Sequence, residues 1–471
     1  MRINDSIVDI LKKLAHSTFS NMLALLSSIA TVVMAPKLIG VAEYGYFQLY
    51  LFYAAYAGCL HFGCSDGIYL RYGGLEYDEL DKKKFYSQFY MVMMLQLLLA
   101  ALILAITLVY VDNANRVFVV SMVLLSMIFT NTTSVLTFIL QATNRIREAA
   151  SINIISRTLY VAFFLVLIFS NASYKLMIIA DLVGKVVAFV YAVLITKDIV
   201  FIRLKTQLFD WVEWWANVLV GSRLMLANIA GMLVIGVFRL GAEVAWTIED
   251  FGKLSLALSL SVFFAVFINA SSVVLFPIIR KASDKSIKQV YVHARTILMA
   301  IMLTFLIGYY PLKLLLIYWL PNYAESIFFF GILLPIGIYE CRTTLLVNTY
   351  LKALYKEKYI LWSNLISLLL SVFATALCIW LNSFYGLVAG ILIVTATKAI
   401  IAEYKLAEIM TLNLRIEHVW ENVLIICFVL INILCSVTAG FLIYFFVLSL
   451  YIWLKKQDMV VSIEYIKSHV I

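Results

Sequence analysis

Charged residues are scarce in this 471-residue chain. Lysine, arginine, aspartate and glutamate make up 13% of the sequence, while hydrophobic residues make up 64%. Soluble domains carry about 25% charged residues, so this composition excludes an ordinary soluble protein. The mean hydropathy of +0.98 points the same way. The sequence indicates a polytopic membrane protein, and no segment remains that could build a soluble catalytic domain.

Cysteines are few and catalytic motifs are absent. The six cysteines lie within or at the ends of apolar runs and lack the paired spacing of a zinc site, which predicts small buried thiols. The sequence has no GxSxG, Walker or HExxH motif, and no loop with clustered histidines and carboxylates. We therefore expect no enzyme activity, no cofactor and no metal. The N-terminal segment lacks a signal cleavage site, so the first span is expected to stay as a helix.

Long apolar runs recur along the whole chain and are separated by short polar breaks. A helix needs about 20 apolar residues to cross the roughly 30 Å hydrocarbon layer. The pattern predicts an all-α protein with about 14 transmembrane helices. These lie near residues 17–36, 46–66, 85–110, 117–140, 151–170, 174–196, 214–237, 254–277, 296–320, 326–350, 359–381, 384–404, 419–437 and 440–454.

The basic residues predict the orientation of these spans. With a cytoplasmic N-terminus, 25 of the 36 lysines and arginines, Arg295 among them, fall in inner segments, five in outer segments and six within spans. This bias predicts an even number of spans with both termini in the cytoplasm. The net charge of +9 is then explained by loops that face anionic membrane lipids, without a nucleic-acid partner.

Two pairs of similar segments indicate an internal duplication. The segments Asn21–Gly45 and Asn228–Gly252 have the same length, and each ends in an acidic residue, an aromatic residue and a glycine. The segment LQATNRIREAASINIIS from Leu140 resembles LKALYKEKYILWSNLIS from Leu351, at an offset of 211. Repeats of about six spans are typical of transporters.

The duplication predicts three parts. Residues 1–205 form a first six-helix bundle, residues 206–410 form a second, and residues 411–471 form two additional transmembrane helices and a cytoplasmic tail. An even repeat places both halves in the same orientation, as a parallel pseudo-two-fold pair. We expect a translocation path at the seam between them.

Ten charged side chains within the predicted spans are candidates for a functional role. Each costs about 2.5–3.5 kcal/mol at the centre of a membrane helix, unless it faces water or an opposite charge. The basic members are Arg157, Lys185, Arg223, Lys313, Arg342 and Lys398, and the acidic members are Asp66, Asp181, Glu340 and Glu403.

The lysines of the sixth and twelfth spans occupy matching positions. Asp181 and Lys185 are four residues apart on one helix, so they can pair with each other. Lys398 lies 213 residues after Lys185. The alternative is that the two lysines form a symmetric pair that lines the seam. Glu403 lies near the inner end of its span and is expected to reach the lipid headgroups.

Glu340 and Arg342 in the tenth span need separate partners. Residues two apart on a helix do not face each other, so each side chain requires its own counter-charge or water. Pro335 and Gly337 can loosen the helix just upstream. A carboxylate in such a place suits a proton-coupling site, and a buried structural ion pair is the alternative.

The remaining polar candidates have equally open interpretations. Asp66 can pair with Arg71, cap a loop or take part in ion coupling, and the nearby His61 can carry a proton or be a hydrogen-bonded core residue. Arg223 can reach the inner surface or point into a cavity, and Arg157 has the same two interpretations. Lys313, in the outer half of the ninth span, can reach the outer headgroups. Asn228 and Asn269 can bind sugar hydroxyls or hold helices together.

The chain resembles bacterial lipid-linked oligosaccharide flippases of the Wzx type. The resemblance rests on FSNMLALLSSIATVVMAPKLIGVAEYGYFQLY, HFGCSDGIYLRYGG, DFGKLSLALSLSVFFAVFINASSVVLFP and LLVNTYLKALYKEKYILWSNLISLLLS, with the most specific likeness around Gly45, Gly67 and Pro277. It implies two six-helix bundles in a V, as in multidrug extruders, and alternating access to a central cavity. The implied cargo is an undecaprenyl-pyrophosphate-linked repeat unit for O-antigen or capsular polysaccharide, flipped across the bacterial cytoplasmic membrane.

The resemblance and the intramembrane charges together suggest candidate site residues. Substrate binding is expected from Arg223, Arg342, Asn228, Asn269, Lys398 and Lys185, and ion coupling from Glu340 and Asp66. The chain lacks the arginine triad on the first two spans that marks the peptidoglycan-precursor branch, which disfavours that cargo. A polysaccharide polymerase complex is a candidate partner.

Three other functions compete with a flippase. A drug or small-metabolite antiporter has the same architecture and differs only in cargo. A membrane polymerase or ligase of surface glycans is disfavoured because it usually carries a large outer loop, and this chain has none. A receptor or scaffold is disfavoured by the internal symmetry.

Overall fold

A computed structural model describes residues 23, 26–170, 172–202, 209–262 and 284–469. Within these ranges the chain is helical and contains no strand. Ten helices there are long and apolar enough to cross a membrane, and a bent pair, Pro321–Leu333 with Ile336–Ala353, makes an eleventh. Each of the 14 predicted spans coincides with a helix at least in part, so the prediction of an all-α polytopic membrane protein is confirmed. Asn269 and Pro277 lie outside the described residues.

The chain forms two compact units, Met1–Ile229 and Ala230–Ile471, which divide within one long helix. The bundle boundaries predicted from the repeat, at residues 205 and 410, stay a prediction. The helices of the first unit are α1 (Leu26–Leu38), α2 (Val41–Ala57), α3 (Cys64–Tyr72), α4 (Lys82–Tyr110), α5 (Ala114–Ala142), α6 (Ile146–Ile168), α7 (Tyr174–Ile195), α8 (Lys197–Val200) and the first half of α9 (Trp211–Ala245).

Among its described residues, the second unit contains the rest of α9 and ten further α-helical segments. They are α10 (Ile248–Val262), α11 (Asp284–Phe305), α12 (Tyr309–Trp319), α13 (Ala324–Leu333), α14 (Ile336–Ala353), α15 (Lys358–Trp380), α16 (Phe384–Met410), α17 (Arg415–Leu434), α18 (Val437–Leu454) and α19 (Lys456–His469).

Short polar side chains begin several of the long helices. Asp81 accepts a hydrogen bond from the backbone N–H of Lys83 at the start of α4. Asn113, Ser173 and Ser383 do the same at the starts of α5, α7 and α16. Each cap satisfies a backbone donor that has no partner within its helix, and such caps contribute about 1 kcal/mol. They explain why the helices start at these polar breaks.

The second predicted span is divided into α2 and α3 by a turn. Gly63 has a φ of +83°, and a Cβ at this position would lie 2.5 Å from the backbone nitrogen of Ser222, so no other residue fits. The backbone carbonyls freed by the turn have side-chain donors. Gln96 donates to the Leu60 carbonyl at 2.9 Å and Asn131 donates to the Ala57 carbonyl at 3.0 Å. A broken membrane helix is tolerated when its backbone groups are satisfied in this way.

The tenth span is bent where the sequence predicted a loosened helix. Its two halves meet at 43° on either side of Pro335, which has no backbone N–H to continue the helical hydrogen bonds. Residues Arg342–Asn348 then form a π-helical segment within α14. The irregular backbone turns Glu340 and Arg342 toward different neighbours.

Candidate functional site

In the first unit, Lys185 belongs to a hydrogen-bonded group in the interior. Its ammonium nitrogen lies 2.6 Å from a carboxylate oxygen of Asp181 and 2.8 Å from the Ser126 hydroxyl. The Tyr50 hydroxyl donates to the same Asp181 oxygen at 2.7 Å. The expected pair of Asp181 and Lys185 on one helix is therefore confirmed. Tyr50 and Asp181 are buried, which ties α2, α5 and α7 together around one ion pair.

Lys185 and Asp181 also line a partly open cavity of about 220 Å³ between α5, α6 and α7. Most of the other lining side chains are polar. Hydroxyl, amide and guanidinium groups come from Thr130, Thr133, Ser134, Thr137, Asn153, Ser156 and Arg157. A polar cavity walled by three apolar membrane helices is costly to desolvate unless it holds water or a polar ligand. This cavity is the candidate site of the first unit.

In the second unit, Lys398 pairs with Glu340. The ammonium nitrogen lies 3.0 Å from a Glu340 carboxylate oxygen, and Lys398 is 7% exposed. The pair joins α16 to α14. It brings together one predicted binding residue and one predicted ion-coupling residue, and the Glu340 side chain keeps 27% of its surface accessible.

Arg342 lies in a buried network of four charges from α11, α14, α16 and α17. Its guanidinium is 3.2 Å from Glu403 and 3.2 Å from Glu421. Arg295 contacts the same two carboxylates, Glu403 at 2.6 Å and Glu421 with two parallel hydrogen bonds of 2.7 and 2.8 Å. Arg342 and Glu403 are fully buried, and the other two are nearly so. Two cations thus neutralise two anions, and parallel Arg–carboxylate hydrogen bonds are the strong kind.

The network corrects two expectations from the sequence. Glu403 was expected to reach the lipid headgroups, but it is 0% exposed and also accepts a hydrogen bond from the Tyr291 hydroxyl at 2.6 Å. Arg295 was counted with an inner loop, but it lies inside α11 and is 2% exposed. Glu421 is not among the site residues predicted from the sequence. It lies near the start of an apolar span, and an acid at such a position is a signal that a buried cation lies nearby.

His418 contacts the edge of this network. Its Nε2 atom is 3.4 Å from Glu403, and its ring lines a separate pocket of about 310 Å³ at the junction of α16 and α17. The other residues of that pocket are largely apolar or exposed. The imidazole therefore lies between the buried charges and an accessible surface.

The other predicted site residues lie apart from these groups. Asp66 is 3.8 Å from Nε2 of His61, at the turn between α2 and α3. Arg71, the alternative partner for Asp66, instead contacts Glu213 and donates to the Asn217 side chain at 2.6 Å. Arg223 and Asn228 are exposed along the first half of α9, and Asn269 lies outside the described residues.

Comparisons with known proteins identify the fold. The lipid II flippase MurJ in an inward closed conformation has a TM-score of 0.64 and 12% identity, covering 96% of this chain and 100% of that chain. An inward-facing multidrug resistance MATE family transporter of the MOP superfamily has a TM-score of 0.56 and 13% identity, covering 88% and 98%. A MOP superfamily transporter from Pyrococcus furiosus has a TM-score of 0.51 and 12% identity, covering 88% and 96%.

No protein-family model matches the sequence. No curated protein matches it either. At 12–13% identity the structural likenesses establish the fold alone, which is that of multi-pass membrane transporters of the MATE and MurJ type. The three solved structures named above are two transporters and a flippase.

Proposed function

We propose that this chain is a Wzx-type flippase. It would move undecaprenyl-pyrophosphate-linked oligosaccharide repeat units from the inner to the outer leaflet of the bacterial cytoplasmic membrane, for O-antigen or capsular polysaccharide synthesis. Both termini would lie in the cytoplasm, as the distribution of basic residues predicts. A polysaccharide polymerase would take over the cargo on the outer side.

The extent of the likeness to MurJ carries the proposal. That likeness covers 96% of this chain, which leaves only about 19 of 471 residues unmatched, fewer than the 20 residues of α17. The MATE likenesses cover 84–90% of this chain, with TM-scores of 0.51 to 0.56. The more complete match to the MurJ fold therefore favours a flippase of a lipid-linked cargo over a drug antiporter.

The chemistry of the polar cavity supports the same proposal. Its hydroxyl and amide groups suit sugar hydroxyls, and its basic side chains suit the phosphate groups that join the sugar to the lipid. A neutral drug would not need so many hydrogen-bonding groups. The polyprenyl tail would stay in the bilayer while the glycan crosses.

The predicted binding residues have different requirements for this role. Lys185 already lines a cavity. Arg223 and Asn228 are exposed, so a cargo can reach them without rearrangement of the chain. Arg342 and Lys398 would have to leave their carboxylate partners first, which makes them candidates for the conformational step. We further propose that Glu340 and Asp66 couple this step to an ion gradient.

Reconstitution in liposomes tests the proposal. A lipid-linked oligosaccharide with a fluorescent sugar is placed in both leaflets, and a membrane-impermeant quencher reports transfer between them. The flippase proposal predicts that the purified protein accelerates transfer. A small cationic dye serves as the competing cargo. Accelerated dye flux with unchanged oligosaccharide transfer would replace the flippase by the antiporter.

A further inference from the structure

Arg157 is a cavity-lining charge without an ion pair in the described part of the chain; Asp181 interacts with it electrostatically but is in contact with Lys185. It lies on α6, is exposed, and lines the cavity beside Lys185 and Asp181. Within the described residues its guanidinium makes no hydrogen bond and no ion pair. The Lys185 ammonium, by contrast, is bound by Asp181 at 2.6 Å and by Ser126 at 2.8 Å. Asp181 neutralises Lys185, so the cavity keeps the positive charge of Arg157.

The depth of Arg157 makes a purely structural role expensive. It lies 11 residues after the first residue of α6, which is about 16 Å along the helix axis at 1.5 Å per residue. An arginine at such a depth in a membrane helix costs several kcal/mol unless it faces a polar cavity or an anion. The cavity supplies the polar surroundings, and an anionic ligand would supply the missing counter-charge.

A second observation at the same cavity points to a ligand. The hydroxyl of Thr133 is buried, lines the cavity and has no hydrogen-bond partner within the described part of the chain. Buried polar atoms are almost always hydrogen-bonded, so an unpaired hydroxyl beside a cavity is suited to bind a polar ligand there. The neighbouring Thr137 hydroxyl, in contrast, donates to a backbone carbonyl of its own helix at 3.0 Å.

The size of the cavity limits what can enter. Its volume of about 220 Å³ equals the share of about seven liquid waters at 30 Å³ each. This space is comparable in size to a diphosphate group with part of a sugar ring and is smaller than a whole oligosaccharide. The site would therefore hold the junction between lipid and glycan, while the rest of the glycan lies outside it.

We propose that this cavity binds the diphosphate end of the cargo, with Arg157 as the principal anion-binding residue. The guanidinium would bind two phosphate oxygens in parallel, which an ammonium group cannot do. The Thr133 hydroxyl would donate to a phosphate oxygen, and Asn153 and Ser156 would face the first sugar. This proposal rests on the proposed function. It specifies which part of the cargo the first unit binds.

Binding measurements on the full-length protein in nanodiscs test this assignment. The probe is a short-chain polyprenyl diphosphate sugar, and the variants are Arg157→Gln, Arg157→Lys and Thr133→Val. Arg147→Gln is the matched control, since Arg147 is an exposed arginine on the same helix that does not line the cavity. Thermal unfolding of each variant checks that it is folded.

We expect Arg157→Gln to raise the Kd for the diphosphate sugar at least tenfold. Arg157→Lys should raise it less, because it keeps the charge but loses the paired hydrogen bonds. Thr133→Val should raise it about threefold, and Arg147→Gln should leave it unchanged. The same sugar linked to a polyprenol without phosphate should bind wild type and Arg157→Gln equally. A folded Arg157→Gln protein that binds the diphosphate sugar within twofold of wild type would overturn the assignment.

A competition arm separates the cargo from ordinary phospholipid. Phosphatidylglycerol carries a phosphate too, so it is titrated against the bound diphosphate sugar. Weak competition supports a cargo site, and competition as strong as that of unlabelled diphosphate sugar makes the cavity a lipid headgroup site and overturns the proposal. The flippase proposal is scored separately by transfer in liposomes. If the protein transfers the lipid-linked oligosaccharide but Arg157→Gln binds the diphosphate sugar as wild type does, only this inference is wrong. If the wild-type protein transfers no oligosaccharide, the proposed function is wrong.

Discussion

The two units place equivalent lysines in different surroundings. Lys185 in α7 pairs with Asp181 of its own helix and lines a polar cavity. Lys398 in α16, 213 residues later, pairs with Glu340 of a different helix and is 7% exposed. The ion pair of the first unit lies within α7, and the neutral hydroxyls of Tyr50 and Ser126 join it to α2 and α5. A lysine paired across helices fastens them together. Under the predicted duplication, one position thus has two uses.

The same contrast appears 211 residues apart at Asn131 and Arg342. Asn131 in the first unit donates to Gln96 at 2.8 Å and to a backbone carbonyl, so it satisfies a broken helix with neutral groups. Arg342 in the second unit contacts two buried carboxylates. Neutral hydrogen bonds contribute about 1 kcal/mol each, whereas removal of one member of a buried ion pair costs more. Loss of Arg342 should therefore destabilise the protein more than loss of Asn131.

The largest expected effect is the loss of one member of the buried network. Arg342→Met leaves Glu403 and Glu421 with Arg295 as their remaining arginine, so an uncompensated negative charge stays buried. Such losses cost about 3–5 kcal/mol. Thermal unfolding in detergent should show a large decrease in melting temperature. Lys405→Met, which breaks the exposed Lys405–Glu408 pair of α16, is the control and should leave the melting temperature almost unchanged, because water screens an exposed pair. Equal decreases would contradict the contrast.

A glycine contact in the first unit should give the next largest effect. A Cβ on Gly67 of α3 would lie 2.0 Å from the backbone oxygen of Asn217 in α9. Gly67→Leu must push the two helices apart, and overpacking of this kind costs about 1–3 kcal/mol. Gly40→Leu is the matched control, since a Cβ on Gly40 meets no atom within 4 Å. Similar melting temperatures for the two variants would show that the contact between α3 and α9 is loose.

Charge-neutral double variants sharpen the comparison of the two lysines. Asp181→Asn/Lys185→Met and Glu340→Gln/Lys398→Met each remove a whole ion pair, so both proteins should stay folded. The Asp181–Lys185 pair lines the cavity. Its removal should raise the cargo concentration for half-maximal flipping about tenfold. Removal of the Glu340–Lys398 pair should lower the maximal rate of flipping. It should also weaken the dependence of that rate on an imposed proton gradient. Identical kinetic changes in both variants would contradict separate roles for the two pairs.

The smallest expected effect is a pH dependence at the edge of the first unit. Burial tends to raise the pKa of Asp198, but hydrogen bonds from Lys82 at 2.6 Å and Tyr77 at 3.0 Å hold that pKa below its usual value. A lowered folded-state pKa stabilises the fold above the ordinary aspartate pKa of about 3.9. This contribution is lost as the pH falls through the lower folded-state value.

Melting temperatures of wild type and Asp198→Asn between pH 7 and pH 3 measure this contribution. The difference should be less than about 1 kcal/mol near neutral pH, as for other exposed pairs, and should vanish at the acid end. A difference that grows as the pH falls would mean that the pKa of Asp198 is not lowered by its partners.

The sequence predicted the helical spans well because the membrane leaves few choices. A 20-residue apolar run in lipid must satisfy its backbone hydrogen bonds within itself, so hydropathy alone locates the helix. The bend at Pro335 and the pair of Asp181 with Lys185 were predicted for a similar reason. Each depends on residues within one or two turns of the same helix.

The partners of the other charges could not be predicted in this way. Arg342 contacts Glu403 and Glu421, which are 61 and 79 residues away in the sequence. Helical periodicity tells which residues share a face of one helix, but not which faces of four different helices meet. For the same reason Glu403 was wrongly expected at the lipid headgroups, and Arg295 was wrongly counted with an inner loop.

The sequence by itself determined that this chain is a bundle of membrane-crossing helices with charges at membrane depth, because apolar length and the cost of burying a charge are local properties. Only the tertiary structure decided how those charges are satisfied. It made Lys398 and Arg342 parts of buried ion pairs, and it placed Lys185 and Arg157 at a polar cavity, because these outcomes depend on which helices pack side by side.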